Sequence, residues 1–77
     1  MTRFHAGDTV VALDTVQGMT KGARYVVDSL DQQHTPFGTF VTYLLRGESE
    51  PSPASAEGRG TTLIPVANGH LLLEEAE

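Results

Sequence analysis

The apolar residues of this chain come only in short runs, each closed off by glycine, proline or a polar cluster. Thr9-Val10-Val11-Ala12-Leu13 is one such run, and Arg24-Tyr25-Val26-Val27-Asp28-Ser29-Leu30 is another. Their β-branched and aromatic content, and their shortness, favour strands over helices. Phe37–Arg46, Thr61–Ile64 and His70–Glu74 complete a set of about five strands, which implies an all-β barrel or roll. A chain of 77 residues holds one domain. It has no cysteine, so neither a disulfide nor a Cys-based zinc site helps hold it together. Its core must be apolar and, at this size, thin. No apolar run approaches the ~18 residues of a membrane span. Met1-Thr2-Arg3-Phe4-His5 leads into Ala6-Gly7-Asp8 rather than an apolar stretch, so no signal peptide is expected. A cytoplasmic protein with no membrane partner is the expectation.

Alternation places Tyr25, Val27 and Ser29 on one face of the second strand, and Arg24, Val26, Asp28 and Leu30 on the other. Asp31-Gln32-Gln33-His34-Thr35-Pro36 reads as the turn that follows. In the third strand Phe37, Val41, Tyr43 and Leu45 share a face, while Phe40 and Leu44 share the opposite one. Both faces are therefore apolar, which a half-exposed antiparallel strand avoids. Either the strand bends near Gly38 to serve both sides of a barrel, the favoured reading, or another chain covers its outer face.

Residues 47–60 contain no Val, Ile, Leu, Met, Phe, Tyr or Trp. Such a segment cannot offset its ordering entropy by burial, and it is expected to be a flexible loop before strand 4. Beyond it, Pro65 argues against a long central strand. Asn68-Gly69 is a hairpin signal, and a 3₁₀ turn over Pro65–Ala67 is the competing reading. The end of the chain reads as a strand in preference to a helix over Leu71–Glu77, whose C-terminal glutamates oppose the helix dipole. Residues 75–77 are expected to fray.

Gly7-Asp8-Thr9-Val10-Val11, followed by Met19-Thr20-Lys21-Gly22-Ala23-Arg24-Tyr25-Val26-Val27, resembles the opening hairpin of SH3-like small barrels. These include short phage and bacterial proteins with Gly-Asp-x-Val and then Lys-Gly-x-x-Tyr-x-Val. It is also similar to the KOW module of ribosomal and transcription-factor proteins. The likeness is close over residues 6–30 and continues beyond them only as strand order. It implies a five-stranded SH3-like barrel over residues 1–77, with Gly22 at positive φ and Tyr25 and Val27 against the Val10 side of the first strand. Such barrels host many roles, so the resemblance does not fix a function.

The net charge of −5 is unevenly placed. Up to residue 46, Arg3, Lys21, Arg24 and Arg46 balance Asp8, Asp14, Asp28 and Asp31. Beyond it, Arg59 faces Glu48, Glu50, Glu57, Glu74, Glu75 and Glu77. An acidic chain lacks the electrostatic footprint of a phosphate-backbone binder. His5, His34 and His70 show no metal-ligand spacing, and the serines have no nucleophile-elbow context. Glu48/Glu50 and Glu74/Glu75 sit in a loop and a tail, which suits solvation rather than acid–base work. Gly58-Arg59-Gly60 is a single Arg-Gly element, and no helix follows Gly18 or Gly22 to cradle a phosphate. Of Phe4, Tyr25, Phe37, Phe40 and Tyr43, most are expected in the core, with one or two free to line a groove. The residues therefore point to a non-enzymatic protein-binding module without cofactor, an accessory or regulatory factor of phage or bacterial type. Its expected contact surface is Phe40, Tyr43, Leu44 and Arg46, with Lys21 and Arg24 at the edge. A homodimer through Phe37–Arg46 is a variant of this reading. A nucleic-acid-binding barrel using Arg3, Lys21, Arg24 and Arg46, and an acidic regulator of a basic partner, are the alternatives.

Overall fold

The computed structural model describes residues 4–76; Arg3 and Glu77, to which the sequence reading gave roles, lie outside them. Five antiparallel strands form one sheet in the order β4-β3-β2-β1-β5. They are β1 (Thr9–Ala12), β2 (Arg24–Thr35), β3 (Gly38–Gly47), β4 (Ile64–Ala67) and β5 (Leu73–Glu75). The all-β expectation holds, but the sheet is not closed into a barrel: β4 and β5 do not pair. The β1–β2 loop bridges part of that gap. Leu13 N–H donates to Leu72 C=O, and the Gln17 side-chain amide takes both the N–H and the C=O of Ala67 in β4.

The inner face carries the core: Phe4, Val10, Ala12, Met19, Tyr25, Val27, Val41, Tyr43, Leu45, Val66 and Leu73. Val41, Tyr43 and Leu45 alternate as expected, and Val10 pairs with Tyr25 across the β1–β2 ladder. Phe4 meets Tyr43 edge-on, ring centroids 5.9 Å apart. Gly22 and Gly7 take the positive φ that the turns into the sheet need.

Several expectations are corrected. Asp31–Thr35 is not a turn; it is the second half of β2, and the turn is only Pro36-Phe37. The positive φ that closes this hairpin falls on Gly38, the first residue of β3, so Gly38 serves the turn beside it and is not a bend within the strand. Phe37 leaves the core face with the turn. The register between β2 and β3 shifts between Val27 and Ser29, leaving Asp28 as an extra residue. This bulge reverses the alternation, so Leu30 lies opposite Tyr43 on the inner side, not beside Val26.

Pro65 lies inside β4, opposite Leu44. It is tolerated because β4 is an edge strand and its outward side needs no proline N–H. Asn68-Gly69 does not join a hairpin. Asn68 takes the left-handed conformation and opens a 3₁₀ turn, Gly69–Leu71, that carries the chain from one edge of the sheet to the other. The strand that follows is β5, and its end is not frayed as far as Ala76: Glu75 pairs with Val10, and Ala76 N–H donates to Thr9 C=O.

Candidate interaction surface

Beyond the bulge, β2 and β3 continue as a two-stranded arm. β1 accompanies β2 only as far as Val27, and β4 pairs with β3 only over Thr42–Leu45. From Leu30 to Phe40 every residue is exposed. The arm is held by its own ladder and by side chains at its tip. The Thr35 hydroxyl donates to Gly38 C=O and accepts from Phe37 N–H, while His34 Nδ1 lies 3.1 Å from Thr39 Oγ1. Phe37 at the tip is 93% exposed, and Phe40 and Leu30 on opposite faces are 40% and 39% exposed. Phe40 shares the outer face with Leu44, which is half-buried.

The root of the same outer face is covered differently. Val26 is buried yet belongs to no inner cluster, and its cross-strand partner is Arg46. Segment 47–60, expected to be flexible, follows a series of tight turns above this place. Its turns close through Glu50 N–H to Gly47 C=O, Ser55 N–H to Ser52 C=O and Gly58 N–H to Ser55 C=O. A 3₁₀ turn at Ala56–Gly58 is capped by the Ser55 side chain. The Ser52 hydroxyl donates to Asp28 Oδ1 over 3.0 Å, and Arg46 donates to Glu50 C=O. Arg46 Nε is buried without a hydrogen bond, 3.5 Å from Asp28 Oδ1. The bulge thus supplies a carboxylate that anchors both the arginine and the loop.

The expected contact residues do not gather into one surface. Tyr43 is 1% exposed at the centre of the core, so it is no contact residue. Arg46 is committed to Asp28 and the loop. Arg24 pairs with Glu48 at 2.7 Å. Arg24 also lies nine residues before Gln33, the partner of Phe40, a distance of about 30 Å along a strand. Lys21, exposed in the β1–β2 loop, lies at that root end too. Phe40 and Leu44 are the members left together, joined by Phe37 from the tip. The strand Phe37–Arg46 offers no free edge over Thr42–Leu45, where β2 and β4 flank it, so a homodimer cannot form by pairing along its whole length.

His5 sits beside Asp8 and His34 lies on the arm. His70 lines a shallow cavity of about 330 Å³ with Phe4, Leu73, Glu74 and Glu75. Among the described residues no three His, Cys, Asp or Glu side chains are grouped to hold a metal ion. Among them, too, no helix is long and apolar enough to cross a membrane. No family model, curated protein or solved structure matches the chain.

Proposed function

We propose that the protein is a non-enzymatic binding module that docks onto another protein through its β2–β3 arm. The exposure of Phe37 at the arm tip carries this reading. A tip phenylalanine buries nothing within this fold, and aromatic anchors seated in a partner's pocket dominate protein–protein contacts. Phe40 and Leu44 extend the apolar surface down the outer face.

The SH3-like reading of the body belongs to the same proposal. What supports it is the meander of β1 to β4, followed by a 3₁₀ turn that returns β5 to the free edge of β1. The nucleic-acid reading is the weaker one. Two of its four basic residues, Arg24 and Arg46, already face carboxylates.

The test is retention of partners from lysate by the wild type and by Phe37→Ser and Phe40→Ser. A specific partner kept by the wild type and lost by both variants is expected. Equal retention by all three would sink the arm as the contact. DNA or RNA binding with a steep salt dependence would favour the second reading instead.

A further inference from the structure

The sheet has two outer edges and two inner stretches where a strand lacks a neighbour on one side, the longer on β2 and a short one on β3 over Gly38–Phe40, and they are not equally protected. The outer edge of β4 carries Pro65, and the Gln17 side-chain amide occupies the backbone of Ala67. The outer edge of β5 spans only Leu73–Glu75, two of whose three residues are glutamates. These are devices by which proteins keep edges from pairing. The stretch of β2 from Ser29 to Thr35 is less protected: it has no proline, lysine or arginine, its one charged side chain is Asp31, and among the described residues no strand pairs with it on the side away from β3. It is bounded by the Asp28 bulge at the root and by Pro36 at the tip.

We propose that this edge pairs with the same edge of a second copy, forming an antiparallel two-fold dimer. Two identical edges pair antiparallel only about an axis perpendicular to the sheet. The same faces then align, and residues of the same parity oppose each other. Centring the axis on Asp31 sets two carboxylates face to face, which is unfavourable. Centring it on Gln32 sets Gln32 against Gln32, Asp31 against Gln33, Leu30 against His34 and Ser29 against Thr35. No like charges meet, the glutamines bond across the axis, and each exposed Leu30 gains an imidazole to pack on. The pairing uses the free edge of both copies, so it closes at two. It buries a strip one strand wide, at the small end of specific interfaces, so association depends on concentration.

Sedimentation over a concentration series tests this. The wild type is expected to move from 8.3 kDa toward twice that mass. Gln32→Lys, which places two ammonium groups on the axis, is expected to abolish the shift with an unchanged circular dichroism spectrum. In this cysteine-free chain Gln32→Cys is expected to form a covalent dimer on mild oxidation, and Thr39→Cys, on the other strand of the arm, is not. A wild type that stays monomeric throughout overturns the proposal; that outcome would leave the edge free for an extended peptide from another protein. So does a dimer indifferent to Gln32→Lys, or equal crosslinking at positions 32 and 39.

Discussion

Gly58→Ala distinguishes a seated 47–60 loop from a mobile one by the sign of its effect. Gly58 is buried and its φ is not positive, so alanine meets no backbone strain there. In a mobile loop, Gly→Ala would be neutral or would stabilise by about 0.4–1 kcal/mol, through the unfolded chain's lost freedom. In the structure a methyl group at this position runs into the Ser52 carbonyl and the Pro53 nitrogen. Those are backbone atoms, which cannot rotate aside. Overpacking of this kind costs about 1–3 kcal/mol. Relief is available only by lifting the loop, which gives up the Ser52–Asp28 hydrogen bond and the turn bonds around Ser55, each worth about 1 kcal/mol net. The expected loss is therefore about 1–2 kcal/mol, since the cheaper route sets the limit. For a domain this small that lowers Tm by roughly 5–15 °C. Urea and thermal melts followed by far-ultraviolet circular dichroism measure it. Unchanged or raised stability would refute the seated loop.

The other expectations are quickly checked in the same melts. Gly69→Ala should destabilise by about 1–3 kcal/mol, because its Cβ would come about 2.5 Å from Tyr43 Cδ2 in the core. Tyr25→Phe removes the hydroxyl that accepts from Thr20 N–H, and should lower stability by about 1 kcal/mol while loosening the β1–β2 loop. Glu48→Gln, which breaks the exposed pair with Arg24, should change stability by less than about 1 kcal/mol. Phe37→Ser should leave stability unchanged within about 0.5 kcal/mol, and a larger loss would show that the side chain packs against the protein after all.

What could be read from the sequence was local. Val10 against Tyr25, the alternation of Val41, Tyr43 and Leu45, and the glycine turns at Gly7 and Gly22 all follow from period-2 burial and from residues that favour special φ values. The missed features depend on distant partners. Asp31–Thr35 has no apolar signal because both its faces are exposed; the β3 ladder makes it a strand. Pro65 belongs in a strand only once β4 is known to be an edge. Met19, in a loop whose few apolar residues follow no period, gave no cue to its burial in the core. The loop over the root of β2 is held by serine hydroxyls and a close backbone approach, neither of which a count of apolar residues detects. Ser52 and Ser55, three apart before Gly58, were the available sign of a capped turn.

The strand with two apolar faces resolves along its length rather than by a single choice. At the root, the outer face opposite the core is occupied by Val26, Arg46 and the returning loop. Toward the tip Phe40 remains 40% exposed, and Phe37 at the tip is almost fully exposed. Burial in the core thus accounts for Val41, Tyr43 and Leu45, and loop docking accounts for Arg46 and Asp28. The fold requires neither Phe37 nor Phe40. A turn after Pro36 tolerates small or polar residues at least as well as phenylalanine, and an exposed ring on a mostly polar arm gains nothing from water. The two rings that the fold leaves unexplained are therefore where a partner is to be sought.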